Sequence, residues 1–308
     1  MSARHPLPRE GGWGEGAPVI LLTGKNGQVG WELQRALLPL GRIHAFGHAE
    51  LDLADAGAVR RKLDEMRPDV IVNAAAYTAV DKAESEPEQA QAINAAAPTL
   101  LADEAARHGT LLIHYSTDYV YDGTKATPYV ESDAVKPLGA YGRSKLAGEA
   151  GIELSGADHL IFRACWIYAA RGANFLRTIL RLAAEREELR VVADQVGAPT
   201  WARLIAEATA HALKQAMRER REGCFESGVY HLAAAGETSW HGFASAIVEG
   251  RSGLRAKTVT PIATVDYPLP AARPANSRLN TDNFQHRFGL VLPDWRDGLR
   301  LCLEDIPQ

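Results

Sequence analysis

Tyr141 and Lys145 stand four residues apart in Leu138-Gly139-Ala140-Tyr141-Gly142-Arg143-Ser144-Lys145, a stretch that continues as helix. One helical turn brings their side chains to one face, about 6 Å apart. A phenol titrates near ~10, so it acts as a general acid or base at neutral pH only with help from its surroundings. An ammonium one turn away supplies part of that help by favouring the phenolate. The same spacing also describes a surface tyrosine beside a solvated lysine. The elements around the pair must decide between the two.

Hydroxyl groups come from a second stretch. Thr110 to His114 reads as a buried strand, and Tyr115-Ser116-Thr117-Asp118 follow at its carboxyl end. In a doubly wound sheet ligands bind beyond the carboxyl ends of the strands, which puts Ser116 and Thr117 in the expected cleft. The structural alternative for Thr117 is a turn or helix cap. A third stretch joins the apolar run Val19-Ile20-Leu21-Leu22 to a helix over Trp31–Leu38 through Thr23-Gly24-Lys25-Asn26-Gly27-Gln28-Val29-Gly30. Its spacing is G-x-x-G-x-x-G rather than G-x-G-x-x-G. The mechanics are similar: one glycine for the turn, one for close approach to a pyrophosphate and one for helix–strand packing. The helix N-terminus then offers free N–H groups to phosphate.

The elements that must hold these residues alternate. Strands are expected at 42–46, 69–73, 110–114 and 159–163, with helices at 55–66, 87–108 and 141–154 between them. That order predicts a parallel sheet with right-handed crossovers. Small residues, Ala74, Ala75 and Ala76, follow the third strand where a flat ring could approach. Beyond Tyr168 the order loosens. The predicted fold class is α/β: a Rossmann-type doubly wound parallel sheet with a smaller mixed α/β substrate-binding lobe. The sheet domain is expected over 18–165, with returns near 189–192 and 229–232. The lobe takes 166–188, 193–228 and 233–308, and 1–17 is a disordered extension.

Composition narrows the class. The 308 residues carry 34 Lys+Arg and 38 Asp+Glu, a net charge of -4, with 46% hydrophobic and 23% charged residues. Nothing there suggests capture of nucleic acid or of an anionic membrane. No apolar run approaches the ~20 residues of a membrane span. Cys165, Cys224 and Cys302 are odd in number and far apart, which fits a reducing cytoplasm rather than a disulfide framework or metal site.

With these residues in hand, the chain resembles the extended short-chain dehydrogenase/reductases, and within them the bacterial dTDP-4-dehydrorhamnose reductases. The likeness rests on the glycine turn through Leu33, on Asn73 to Glu84, His114 to Val120 and Asp194 to Thr200, and on Arg273 to Asn280. It covers about Pro18 to Leu303. The resemblance implies NADPH- or NADH-dependent reduction of the C4 ketone of dTDP-6-deoxy-L-lyxo-4-hexulose to dTDP-L-rhamnose, a precursor of O-antigen or another rhamnose-containing polysaccharide. It also implies the roles. Tyr141 donates the proton, Lys145 binds the nicotinamide ribose and Thr117 hydrogen-bonds the ketone oxygen. Gly24, Gly27, Gln28, Val29 and Gly30 serve the pyrophosphate, Asp52 and Leu53 the adenine side, and Ala76, Tyr77, Thr78 and Tyr115 the length of the cofactor. Thr117, Asp118 and Trp166 face the sugar nucleotide. Some family members use Mg²⁺ at a homodimer contact, and Glu32 lies in the matching region, although the sequence shows no carboxylate cluster at ligand spacing.

Arg273 and Arg278 are candidates for the ligand's diphosphate, because guanidinium binds phosphate bidentately. An NAD-selective site usually has Asp or Glu where this chain has Gly47; Lys25 and His48 nearby could face a 2′-phosphate, which leans toward NADPH or dual use, or could equally be solvated surface residues. Two other functions share the motifs. A nucleotide-sugar epimerase or dehydratase would use the same Tyr/Lys pair with tightly held NAD⁺. A non-catalytic regulatory subunit, like that of eukaryotic methionine adenosyltransferase, would not need the Thr117/Tyr141/Lys145 set.

Overall fold

The computed structural model describes residues 16–307. Apart from Gly16 and Ala17, the segment read as an extension lies outside the described residues. The first half runs β1 (Val19–Thr23), α1 (Gln28–Ala36), β2 (Arg42–Phe46), α2 (Ala56–Met66), β3 (Val70–Asn73), α3 (Val80–Ser85), α4 (Pro87–Gln91), α5 (Ala97–His108), β4 (Leu111–Thr117), α6 (Ala140–Leu154) and β5 (His159–Ala164). The second half runs β6 (Ile167–Tyr168), α7 (Phe175–Glu185), β7 (Glu188–Val192), β8 (Val196–Gly197), β9 (Thr200–Trp201), α8 (Ala202–Glu222), β10 (Gly228–His231), β11 (Thr238–Ser239), α9 (Trp240–Glu249), β12 (Thr258–Ile262), α10 (Asp282–Phe288) and α11 (Trp295–Glu304).

Six strands form the central sheet in the order β10-β5-β4-β3-β1-β2, every pair parallel. Parallel strands covered on both faces read as continuous apolar runs, and β1, β3 and β4 are buried at every position. The chain goes outward from β1 to β2, then returns to the other side of β1 for β3. That reversal opens a crevice between the carboxyl ends of β1 and β3. Gly24 (φ 71°) sits there, and a Cβ on it would lie 2.6 Å from the backbone of Ala74 and Ala75.

Three boundaries differ from the sequence reading. Helix α1 begins at Gln28, so its first turn includes the end of the glycine loop. Strand β4 runs on to Thr117, which fixes that hydroxyl on the sheet rather than in a loop. The long helix expected over 87–108 is interrupted by one π-type turn, Ala92–Ala96. Asn94 in this turn is fully buried and holds both the N–H and the carbonyl of Tyr77 through its side-chain amide.

Two domain assignments are corrected. The strand near 189–192 does not return to the main sheet; β7 pairs with β12 in a separate two-stranded ribbon. Helix α8, assigned to the lobe, instead packs Ile205, Ala206, Ala212 and Leu213 into the core beneath β1, β3 and β4. The reason is topological: joining β5 to the parallel β10 needs a crossover helix on the sheet face. Phe284 and Phe288 of α10 pack on Phe162 of β5 in the same layer. What is left forms the smaller lobe, with Leu176, Ile179, Leu189, Phe243, Trp295 and Leu299 in its own core.

Candidate active site

One large cleft, about 1270 Å³, runs along the carboxyl ends of the sheet strands and under the lobe. Single small-molecule sites are usually about 300–1,000 Å³, so this volume suits a dinucleotide plus a second ligand. Thr117, Tyr141 and Lys145 all line it. Their convergence follows from close packing of α6. Gly148 lies so near the π-type turn that a Cβ would fall 2.1 Å from the Asn94 carbonyl oxygen, which lets the helix settle over β4. Asn94 also donates to Ser144 Oγ at 3.0 Å, tying the two elements beside the Tyr/Lys pair.

Thr117 Oγ1 both caps and reaches the site. It accepts from Tyr119 N at 3.2 Å and donates to Asp118 Oδ1 at 3.1 Å. Burial pushes the Tyr141 phenol up to about 12, partly offset by a hydrogen bond with the Thr117 side chain, while the Asp118 charge adds to the rise. Burial likewise brings Lys145 down to about 8, with Glu149 opposing. Burial outweighs the lowering of the phenol that the spacing of the ammonium suggested. The ammonium is turned beneath the site, donating to the Tyr115 carbonyl at 2.6 Å and facing His114 Nε2 at 3.2 Å. Asp118 is 2% exposed, and burial raises its carboxyl to about 6, against the Ser277 and Thr117 hydroxyls.

At the glycine loop, Gly24, Gly27, Gln28 and Val29 line the cleft. Gly27 is the N-cap of α1 with no side-chain cap, leaving first-turn N–H groups for an anion. Gly30 does not line the cleft; a Cβ there would fall 2.1 Å from the Gly24 carbonyl oxygen, so it serves helix–strand packing. Ala76, Tyr77, Thr78 and Tyr115 line the opposite wall, and Leu53 the end near β2. Asp52 does not reach it. Its carboxylate accepts from Ala54 N at 2.9 Å and lies 3.5 Å from His48, which lines the cleft together with Leu51. Glu50 folds back to accept from Gly47 N at 2.7 Å and pairs with Lys25. Three buried side-chain atoms without a protein partner, Gln28 Oε1, Ser116 Oγ and Asp118 Oδ2, belong to residues lining the cleft. A phosphate-accepting helix end, an alanine wall and unmatched polar atoms suit a nicotinamide dinucleotide and a hydroxylated ligand.

The lobe side carries Trp166, in a left-handed conformation (φ 47°) and stacked on Trp240. Arg273 lines the cleft and is held by Asp81 in a two-point ion pair, Nη1–Oδ1 3.1 Å and Nη2–Oδ2 2.8 Å. Arg278 does not line it. Its guanidinium is taken up by Asn276 Oδ1, Glu237 Oε2 and the Ala126 carbonyl, so it braces a loop instead. Sequence reasoning missed Trp240, Gln195, Phe175, Tyr119 and Arg190, which also line the cleft. Gln195 and Tyr119 lay inside stretches already singled out for resemblance; the others carry no local signal.

Glu32 does not fit a cation site. Its carboxylate is paired with Arg35 at 2.7 Å and Arg203 at 3.3 Å, and Arg203 extends to Asp305 at 2.7 Å. Guanidinium groups already hold the charge a divalent ion would bring. Among the described residues, Asp64, Glu104 and His108 have ligand-like spacing, but Arg107 bridges both carboxylates. No helix among the described residues is long and apolar enough to cross a membrane.

A family model described as the RmlD substrate binding domain matches residues 18–307. The chain is 54% identical over 293 residues to the dTDP-4-dehydrorhamnose reductase of Burkholderia thailandensis, covering 93% of this chain and 98% of that one. It is 50% identical over 295 residues to the enzyme of that name from Escherichia coli, covering 93% and 97%. The crystal structure of dTDP-4-dehydrorhamnose reductase from Bacillus anthracis in complex with NADP superposes with a TM-score of 0.85 at 33% identity, over 94% of this chain and 99% of that one.

Proposed function

The chain belongs to the RmlD substrate binding domain family, and on that premise we propose that it is a dTDP-4-dehydrorhamnose reductase. It reduces the C4 ketone of dTDP-6-deoxy-L-lyxo-4-hexulose, giving dTDP-L-rhamnose. The observation that carries this reading is the joint opening of Thr117, Tyr141 and Lys145 onto one cleft that also holds the glycine loop. The bound nicotinamide dinucleotide supplies the hydride.

Tyr141 gives its phenolic proton to the ketone oxygen as the hydride reaches C4, and the phenolate left behind is reprotonated from solvent. A phenol held up to about 12 is fully protonated at neutral pH and ready to donate. Thr117 offers its hydroxyl to the oxyanion that develops on that oxygen. Lys145 gives an N–H to the ribose and keeps positive charge beside the phenolate as it forms. Gly27, Gln28 and Val29 hold the pyrophosphate at the α1 N-terminus, with Gly24 shaping the turn. Trp166, Asp118 and Arg273 take the sugar and diphosphate.

NADPH is the preferred reductant and NADH the second. Support comes from Gly47, which brings no carboxylate, and from Glu50, whose charge is met by Lys25. The reading includes a cytoplasmic, homodimeric enzyme working without Mg²⁺, its product going to a rhamnose-containing polysaccharide such as O-antigen. The test is oxidation of NADPH and NADH followed by absorbance with the dTDP-ketosugar present. Turnover of neither, or turnover of a nucleotide sugar without added reductant, would sink the assignment.

A further inference from the structure

Beneath the cleft, three side chains form one row across the sheet. Thr23, Asn73 and His114 are register partners on β1, β3 and β4, respectively 2%, 1% and 0% exposed. Thr23 Oγ1 lies 2.6 Å from Asn73 Oδ1, Asn73 Nδ2 lies 3.0 Å from His114 Nδ1, and His114 Nε2 lies 3.2 Å from Lys145 Nζ. Nothing in the hydride or proton transfer uses this row, yet it ends on the lysine of the site.

We infer that His114 is a positioning residue for the reaction, its Nε2 holding the Lys145 ammonium and its Nδ1 locked through Asn73 and Thr23. The inference deepens the proposed function and rests on that reading. An ammonium has three N–H groups and no lone pair. Lys145 gives one to the Tyr115 carbonyl and one to His114 Nε2, which leaves one for the cleft. To accept, Nε2 must be bare, so Nδ1 carries the hydrogen. Asn73 then presents Oδ1 to Nδ1 and Nδ2 to Thr23 Oγ1, the other of the two orientations its near-symmetric amide permits. With that one flip Lys145, His114 Nδ1 and the Asn73 amide each donate to a neighbour in the row, and Thr23 Oγ1 becomes an acceptor. The opposite tautomer, with hydrogen on Nε2, is compatible only with a neutral Lys145. The imidazolium is excluded by burial and by the adjacent ammonium, which together push the ring well below its ordinary value.

The consequence is electrical as well as geometric. Burial brings Lys145 down to about 8 and so disfavours its charge. Two uncharged acceptors oppose that without neutralising it, as does Glu149, itself committed to Arg163 of β5 at 2.6 Å. On the cleft side Tyr141 stands one helical turn from Lys145, and the Asp118 charge raises its phenol. The His114 lone pair, with the Tyr115 carbonyl, fixes the direction of the ammonium and, with Glu149, favours its charge.

The test compares His114→Leu, which removes the acceptor, with His114→Gln, which restores an oxygen acceptor. In the Leu variant the alkaline limb of kcat is expected to move down by about one pH unit, about five- to sixfold in kcat at the wild-type midpoint. The KM for the ketosugar stays within about twofold, because Lys145 does not hold the sugar. The Gln variant returns the limb toward wild type. An unmoved limb in the Leu variant, or equal losses in both variants, overturns the proposal. Nitrogen-15 histidine NMR of the wild-type protein without substrate gives a second reading, independent of whether the Leu variant folds. Hydrogen on Nδ1 with bare Nε2 at neutral pH is expected; hydrogen on Nε2, or an imidazolium, overturns it. Failure to reduce the ketosugar would overturn the proposed function and leave the NMR result to decide His114.

Discussion

Trp240 lies face to face with Trp166, ring centroids 3.6 Å apart and planes 13° from parallel. Gly197 packs against the same Trp166 ring so closely that a Cβ would come within 2.7 Å of it. Trp240 is steadied in turn by Gln195, which accepts its indole N–H at 3.2 Å. Trp166 is thus clamped in a backbone conformation that a non-glycine residue seldom adopts. Removing the clamp frees a cleft wall without touching the proton donor. Trp240→Ala is expected to raise the ketosugar KM roughly three- to tenfold, the worth of an aromatic pair, with NADPH affinity unchanged. Gly197→Ala should act in the same direction through the clash. A wild-type KM in both variants would rule out Trp166 as a substrate wall.

Tyr141→Phe removes the one proton donor proposed for the ketone oxygen. The expected loss is about 10²- to 10⁴-fold in kcat, the usual scale for general acid catalysis, with the ketosugar KM nearly unchanged. Near-normal kcat would transfer the role to another group.

Arg273 reaches the cleft while anchored to Asp81. Arg273→Ala should weaken ketosugar binding about ten- to a hundredfold, the range for one charge-assisted hydrogen bond. The NADPH Kd, read by fluorescence, should not move. If both affinities fall together, Arg273 serves the cleft's shape rather than the diphosphate.

Asp118 gives a pH-dependent stability. Its carboxyl titrates at about 6 in the fold against an ordinary 3.8. Between those values the folded state binds more protons than the unfolded one, so stability falls as pH rises across that window. The cost is complete above about pH 6 and absent below about 3.8, on the order of 3 kcal/mol at full extent. Asp118→Asn should raise Tm at pH 7 and flatten this slope, while weakening the sugar complex. An unchanged slope would show that the carboxyl is not buried with its charge.

Chelation should leave the enzyme intact. With Arg203 spanning Glu32 and Asp305, EDTA treatment is expected to leave kcat within about twofold, since guanidinium already satisfies both carboxylates. Loss of activity restored by Mg²⁺ would require a metal site elsewhere.

Residue types and local periodicity made much of this protein legible before any fold. The glycine turn, the apolar strands and the Tyr141/Lys145 spacing are local features, written within a few residues, and the resemblance of several blocks extended them to roles. Three placements could not be read from residue type alone. Arg278 looked as available as Arg273 until Glu237 and Asn276 took its donors. Asp52 turned outward because its own turn at Ala54 claimed it. The segment 189–192 found β12 as a neighbour, a pairing that no strand propensity specifies.

The chain by itself determined the alternation that makes a parallel sheet and the chemistry available at its carboxyl edge, since both follow from side-chain type and short spacing. Tertiary structure alone decided the electrostatics. Tyr141 and Lys145 are one turn apart in any helix, but the Tyr115 carbonyl and His114 direct the ammonium downward, and burial holds the phenol protonated. Desolvation and the direction of a hydrogen bond depend on what packs around a group, and that is set by contacts between residues tens of positions apart.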